Sequence, residues 1–272
     1  MFKQSLLLVT LVVFLSACAP KYNYLNPQVS EPKFDHILVV VDYLHVVDDV
    51  GELLDYPEEK NQQQIHQLRT VVQSVLAGKG FQGTIDFALV SSGLGLNPEQ
   101  GFEHYRNGQL NEALLYPPFY IESPYHESFQ YQLIGSFAEA QNIAFVPVSN
   151  KTTDYYADLR MNSLDFNAAE AYLTPQLNPA ASVGVLHIRA VWPRVSFVKA
   201  MGVSLLTAGL TAGATSGAYV GIATPMGVPH STAVLFDNQT GEVVWKNQVN
   251  GDVSQYGEQS RARFFKAFPE LN

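Results

Sequence analysis

The opening third of the chain alternates apolar runs with polar helical stretches, a pattern that predicts an α/β fold. Residues 37–41 form a continuous run of aliphatic, mainly β-branched residues, typical of a strand that is buried on both faces. Residues 58–77 then carry apolar side chains at helical spacing, with Gly78 and Gly80 as stop signals. Residues 84–90 predict a second strand. The chain therefore opens as β-α-β, which favours a parallel pair joined by a right-handed crossover.

The middle of the chain has weaker patterns. Helices are predicted over 101–115 and 127–142, and a third strand over 143–148. A faint helical pattern returns over 154–173. We interpret residues 91–182, approximately, as a long insertion in one domain.

The carboxyl half predicts mainly strands. Residues 183–192 alternate like a strand with one face on a core. Residues 232–237 and 242–249 predict an antiparallel hairpin, because the five residues that begin at Asp237 and end at Gly241 combine Asx chemistry with a glycine suited to positive φ. A closing helix is predicted over 257–268.

Together these elements predict a single α/β domain over residues 34–272. Its sheet is mixed, with the β-α-β opening, a late antiparallel hairpin and a closing helix.

The amino terminus has the pattern of an exported protein. Lys3 precedes a short apolar run over residues 6–14, which is too short to cross a bilayer comfortably and fits a signal peptide over residues 1–17. Leu15-Ser16-Ala17-Cys18 resembles the lipobox of bacterial lipoproteins, in which the cysteine sulfur receives lipid after cleavage. An ordinary signal peptide with an accidental cysteine is the alternative.

The residues after Cys18 suggest a sorting signal followed by a tether. Ala19 and Pro20 follow the cysteine in place of an aspartate, which resembles an outer-membrane signal in the enterobacterial sorting rule. Residues 18–33 are rich in proline and polar residues, so we expect an extended tether. The sequence thus predicts an outer-membrane lipoprotein, held by acyl chains such as palmitate and facing the periplasm.

Composition narrows the function classes. The chain is 47% hydrophobic and 15% charged, enough to bury a core. Its formal net charge of −9 argues against nucleic acid as a partner and against a polybasic lipid-binding patch. Because Cys18 is the one cysteine, no intramolecular disulfide can form.

The order of motifs has a family resemblance. A lipobox, a short tether, the strand over 36–41, a long helix and a late hairpin over 233–245 resemble a set of envelope lipoproteins. Their fold is similar to the amino-terminal domain of the Tol-system protein TolB. The set includes curli-secretion and polysaccharide-export lipoproteins and penicillin-binding-protein activators. The resemblance implies a binding role in assembly or export; residues 91–182 depart from the compact versions of the fold.

A glycine-rich segment over 200–225 lies in a stretch, residues 200–236, that lacks Asp, Glu, Lys and Arg. On a helix its regularly spaced glycines would share one face and permit close packing or membrane insertion. A buried helix or hairpin and a flexible loop are the alternatives. The candidate face consists of Gly202, Gly209, Gly213, Gly217 and Gly221.

A second candidate surface is aromatic. Tyr116, Phe119, Tyr120 and Tyr125 lie in a proline-containing stretch and could form a protein interface or stack on sugars. They could equally cover the core from a long loop.

Catalytic patterns are incomplete in this sequence. His126-Glu127 begins an HExxH zinc pattern, but Gln130 replaces the second histidine, so we predict no metal site. Ser196-Phe197-Val198-Lys199 matches Ser-x-x-Lys without the partner motifs of penicillin-interacting enzymes.

We therefore predict a lipid-anchored envelope protein without enzymatic activity or cofactor. It would act by binding envelope partners or copies of itself in assembly, export or surface-structure formation. The alternatives are a tethered periplasmic hydrolase or glycan-modifying enzyme, and a ring- or pore-forming lipoprotein that uses the glycine-rich segment.

Overall fold

A computed structural model confirms the α/β fold class. It describes residues 22–29, 32–48, 54–92, 104–106, 109–111, 120–123, 127–145, 159–166, 182–195, 229–251, 253 and 258–271. These residues form one mixed sheet of ten strands, with three helices. The strands are β1 (Tyr24–Leu25), β2 (His36–Asp48), β3 (Leu54–Tyr56), β4 (Thr84–Ser91), β5 (His104–Arg106), β6 (Gln109–Asn111), β7 (Tyr120–Glu122), β8 (Val183–Val195), β9 (His230–Asp237) and β10 (Val243–Asn250). The helices are α1 (Glu58–Gly78), α2 (Glu127–Ala144) and α3 (Glu258–Phe265).

The β-α-β opening is as predicted. β2 and β4 pair in parallel, from His36 opposite Thr84 to Asp42 opposite Val90, and α1 connects them. The five residues from Ile37 to Val41 are fully buried, because both faces of this strand are covered.

β2 also pairs in parallel with β8 over thirteen residues, the longest pairing among the described strands. β9 and β10 then extend the sheet in antiparallel fashion, as the hairpin pattern predicts. In the turn, Asp237 Oδ1 accepts from the backbone N–H of Gln239 at 2.8 Å and of Thr240 at 2.9 Å. Gly241 closes the turn at φ 71°, a conformation that favours glycine.

The two faces of the sheet carry separate cores. α1 and α3 cover one face, where Trp245 packs against the rings of Phe264, Phe265 and Phe268. α2 covers the other face, although it lies in the predicted insertion; its buried stripe packs on Leu38 and Val40 of β2. The stripe consists of Phe129, Leu133, Phe137, Ala140 and Ala144.

Two predictions for the middle of the chain are wrong where the structure describes it. Within 101–115, β5 and β6 form an antiparallel pair with Arg106 opposite Gln109. They flank Asn107-Gly108, a dipeptide favoured in two-residue hairpins, and this local signal outweighs the weak helical pattern. The strand predicted over 143–148 fails at its start, since the buried stripe of α2 continues at helical spacing to Ala144.

The faint helical pattern over 154–173 is not realised in its described portion. Residues 159–165 are non-helical and lie against the β9–β10 turn, where Met161 N–H donates to the Gly241 carbonyl at 2.8 Å. Backbone hydrogen bonds to this turn replace the internal bonds that a helix would make.

The predicted tether is corrected at its far end. β1 pairs with β10, so the sheet begins at Tyr24 and not near Phe34. Pro27 and Gln28 form a turn in which Val29 N–H donates to the Asn26 carbonyl at 3.2 Å. Tyr24 is buried, and Asn26 Nδ2 donates to Glu242 Oε1 at 2.9 Å. An extended segment next to an unpaired strand edge gains backbone hydrogen bonds by joining the sheet.

One side chain fills a gap in the edge of β2. The pairing of β2 with β4 ends at Asp42 and its pairing with β3 begins at Val47, so His45 lies between them. Asn61 of α1 completes the ladder: its Oδ1 accepts from His45 N–H at 2.7 Å and its Nδ2 donates to the His45 carbonyl at 2.9 Å. Both residues are buried, so the amide substitutes for a neighbouring strand where water cannot reach.

Asn61→Ala should therefore lower the free energy of unfolding by about 2–3 kcal/mol, because it leaves a buried N–H and a buried carbonyl without a partner. Gln63→Ala, at an exposed position on the same helix, is the control and should have little effect. Urea unfolding of both variants measures the difference. Equal stabilities would show that the Asn61 amide does not complete the ladder.

Candidate functional site

Polar side chains interrupt the apolar face beneath α2. Side chains alternate along a strand, so Asp42 projects to the same face as Leu38 and Val40. His187 and Arg189 project to this face from β8, and both are almost fully buried. Asp42 and Arg189 lie at the middle of β2 and β8, and His187 lies two residues earlier on β8.

Asp42 and Arg189 form a buried ion pair on adjacent strands. Arg189 Nε lies 3.2 Å from Asp42 Oδ2, and the two residues are directly opposite in the register. Ser92, just beyond β4, donates its backbone N–H to Oδ1 at 2.8 Å and its hydroxyl to Oδ2 at 2.6 Å. Burial raises the pKa of Asp42, and Arg189 and Ser92 oppose that rise. Removing one partner of such a pair costs about 3–5 kcal/mol.

His187 reaches toward α2 and contacts Ser136. Its Nε2 lies 3.0 Å from Ser136 Oγ, and that hydroxyl also lies 2.8 Å from the Leu133 carbonyl. A carbonyl oxygen can only accept, so both contacts are satisfied when Ser136 donates to Leu133 and His187 Nε2–H donates to Ser136. Burial between the rings of Phe137 and Phe236 lowers the pKa of His187 to about 3, so the ring is neutral at physiological pH.

A small cavity of about 10 Å³ lies beside His187 and Arg189, one member of each polar pair. His187, Arg189, Gln141 and Thr232 contribute to its wall, and its size suits about one water molecule. Within the described residues no group hydrogen bonds to Nδ1 of His187. A polar line therefore runs across the sheet from Ser92 through Asp42, Arg189 and His187 to Ser136.

Ser136 also opens onto the surface, in a groove of about 460 Å³ between α2 and residues 159–166. Gly135 and the buried Leu164 contribute to its floor. The rest of the lining consists of side chains with amide, hydroxyl or carboxylate groups: Gln132, Ser136, Glu139, Asn142, Asn162 and Ser163. No lysine or arginine of the described chain lines it.

Hydrogen bonds fix the outer wall of the groove. The Glu139 carboxylate accepts from the backbone N–H of Asn162 at 3.1 Å and from its side-chain amide at 3.0 Å. Asn238, in the β9–β10 turn, bonds to the Leu164 backbone at both N–H (2.8 Å) and carbonyl (3.1 Å). The groove is therefore preformed, with its wall held from the helix and from the turn.

A lysine from β10 holds the last turn of α2, the helix that forms the inner wall of the groove. The last turn of α2 has no basic residue of its own, and the buried Lys246 donates to the Ile143 carbonyl at 2.9 Å. A positive group at this place satisfies a terminal carbonyl and complements the helix dipole. Burial lowers the pKa of Lys246 to about 8.

The Ser136–His187 pair has the residue types of a nucleophile and a base, but not their chemistry. A base must accept the serine proton, whereas the two contacts of Ser136 make His187 the donor. A pKa of about 3 also makes the imidazole a weak base. Ser136 lies inside a helix, where neighbouring N–H groups are used by helical hydrogen bonds. The arrangement ties α2 to the sheet.

Most of the residues singled out from sequence lie outside the described part of the chain. These are Cys18, the five glycines of the candidate face, and Tyr116, Phe119 and Tyr125. Tyr120 is described: it lies in β7, is half-buried against the core under α1, and donates to Glu122. Burial and Glu122 raise its pKa above the usual value.

The described residues were searched for metal-binding clusters and for membrane-spanning helices. There, no three His, Cys, Asp or Glu side chains come together as a metal site would require. None of the helices combines the length and apolar character needed to cross a bilayer.

Sequence reasoning did not anticipate the polar line or the groove. One signal was available for the line: Asp42 directly follows the apolar run over 37–41, and Ser92 follows the strand predicted over 84–90, which the β-α-β pattern places beside that run. The groove had no comparable signal, because its walls are distant in sequence.

The site thus belongs to a mixed α/β domain with a preformed polar groove over a buried polar line. The chain matches no family model, no curated protein and no solved structure.

Because His187 is buried in its neutral form, it makes the free energy of unfolding depend on pH. In the unfolded chain a histidine titrates near 6.5, so between about pH 6.5 and 3 the unfolded state binds more protons. His187 should therefore lower the free energy of unfolding as pH falls through this window, by up to about 1.4 kcal/mol per unit. Urea unfolding at pH 7, 6, 5 and 4 of the wild type and His187→Gln should show a shallower acid decline in the variant.

His66→Gln is the control, since His66 is an exposed histidine on α1. The raised pKa of Asp42 acts with the opposite sign and remains in all three proteins, so the comparison isolates His187. Parallel pH profiles for the wild type and His187→Gln would show that His187 is not buried in its neutral form.

Proposed function

We propose that this chain is a lipid-anchored envelope protein that acts by binding. The groove between α2 and residues 159–166 carries the binding part of the proposal, because its walls are preorganised by side-chain hydrogen bonds. Preorganisation lowers the conformational cost of binding. The lipobox-like Leu15-Ser16-Ala17-Cys18 supports the anchor, and the run after Cys18 supports an outer-membrane location facing the periplasm.

The strand directions suggest how the domain sits on its anchor. β1 is antiparallel to β10, with Tyr24 opposite Lys246, so the residues before Tyr24 lead toward the end of the sheet where β9 begins at His230. Six residue steps separate Cys18 from Tyr24, a reach of about 20 Å at most. We propose that this end of the sheet faces the bilayer.

The glycine-rich segment attaches at the same end. β8 and β9 are antiparallel, with Val191 opposite His230, so residues 196–228 leave from β8 and return to β9 there. The β9–β10 turn that holds the groove wall lies at the opposite end, about 25 Å along β9. In this orientation the groove wall points away from the lipid and toward soluble partners.

The anchor is tested at Cys18. Cys18→Ser should abolish incorporation of radiolabelled palmitate and release the protein from the membrane fraction, because acylation requires the sulfur. Ser16→Ala keeps a small residue before the cysteine and should remain labelled and membrane-bound. Palmitate labelling and membrane retention that survive Cys18→Ser would overturn the proposed anchor.

A tethered hydrolase is the second candidate, favoured by one observation: a serine in the groove contacts a histidine at 3.0 Å. Because His187 is a donor in this contact, we expect a fluorophosphonate probe to leave the wild-type protein unlabelled. Labelling that is lost in Ser136→Ala and kept in Ser163→Ala, a second serine of the groove, would establish the hydrolase instead.

A further inference from the structure

The groove lining has a distinctive set of hydrogen-bonding groups. It offers the side-chain amide of Asn142, the hydroxyl of Ser163, and the remaining capacity of two amides that are partly used: Asn162 Nδ2 donates to Glu139, and Gln132 Oε1 accepts from Asp165 N–H at 3.2 Å. Each of these groups can both donate and accept a hydrogen bond. Such groups match ligands that alternate donors and acceptors over a short distance, as sugar hydroxyl and acetamido groups do.

The charges of the groove argue against ionic ligands. The described lining contains no lysine or arginine that would neutralise a phosphate or carboxylate. The Glu139 carboxylate is already occupied by the amides of Asn162, which reduces its use for a cation.

The shape and polarity of the groove argue against an apolar or peptide ligand. Among its described lining, Leu164 is the one large apolar side chain, and it is buried. Peptide grooves rely on apolar pockets or on an open strand edge. In the described chain the groove lies between α2 and a segment whose one β-type pairing is the Arg160–Glu242 bridge.

Gly135 gives the groove an open floor. A Cβ built at this position meets no atom within 4 Å, so the helix backbone is accessible where the floor faces the groove. A sugar ring could lie flat on this surface while the amides at the two walls bind its edge. A larger residue here would fill the groove without disturbing the packing of α2.

We propose that this groove binds a neutral oligosaccharide through the amide and hydroxyl side chains of α2 and residues 162–163. This proposal rests on one part of the proposed function, namely that the protein acts by binding. The ligand class follows from the described part of the lining, which is neutral apart from a carboxylate that is already paired.

The experiment compares the same substitution at two helical glycines. Gly135→Trp should block the groove, whereas Gly78→Trp, at the end of α1, also meets open space but lies away from the groove. The full lipidated protein is purified in a zwitterionic detergent, since a glycosidic detergent would present sugars. Calorimetric titration then uses chitotetraose, cellotetraose and the anionic polymer polygalacturonate.

We expect the wild type and Gly78→Trp to bind a neutral oligosaccharide with similar affinity, and Gly135→Trp to bind at least ten-fold more weakly.

Several outcomes would overturn the oligosaccharide assignment. These are no binding of either neutral sugar, equal losses in both tryptophan variants, or preference for polygalacturonate. Binding of a short unstructured peptide that Gly135→Trp blocks, without sugar binding, would assign the groove to peptides. In that case the proposed binding function would survive and the ligand class would fail.

Discussion

The register between β2 and β8 is the constraint on which the rest of the structure depends. Thirteen opposed residues hold these strands together, and both strands are covered on their two faces. A slip of one residue would exchange the faces of every side chain on β8 and turn Arg189 toward the apolar core under α1. Because Asp42 lies directly opposite Arg189, the buried pair favours the observed register over its neighbours. We interpret the pair as a specificity element rather than a source of net stability.

The two faces of the β2–β8 pair have different roles. The α1 face is closed by apolar side chains, and the Asn61 amide bonds to the buried backbone of His45, which has no strand beside it on that edge. The α2 face contains the line of polar groups, and each group has a local partner. Asp42 is paired with an arginine and bonded to a serine, whereas His187 is neutral and bonds to Ser136. That bond places Ser136 at the boundary between core and groove, so the position of α2, and hence the groove wall, depends on the buried line.

The fold was more predictable from sequence than the site, for physical reasons. Continuous apolar runs and helical stripes reflect burial directly, so β2, α1 and the β9–β10 hairpin are found from local patterns. Short strands such as β5 have too few residues for a clear two-residue period, so the weak helical pattern over 101–115 gave a wrong prediction there. β1 joins the sheet through backbone bonds, which leave no pattern in the side chains.

The groove could not be predicted from sequence, because the residues that form it are distant along the chain and come together only in the fold. Glu139 and Asn238 hold the same eight-residue segment although they are almost a hundred positions apart in sequence. The predicted resemblance to envelope lipoproteins, in contrast, rests on the lipobox, the tether and the patterns of β2, α1 and the hairpin. The groove is built by α2 and residues 159–166, which lie within the predicted insertion. The resemblance therefore bears on the elements outside that insertion, whereas the choice of ligand has to be argued from the amides, hydroxyls and open glycine of the groove itself.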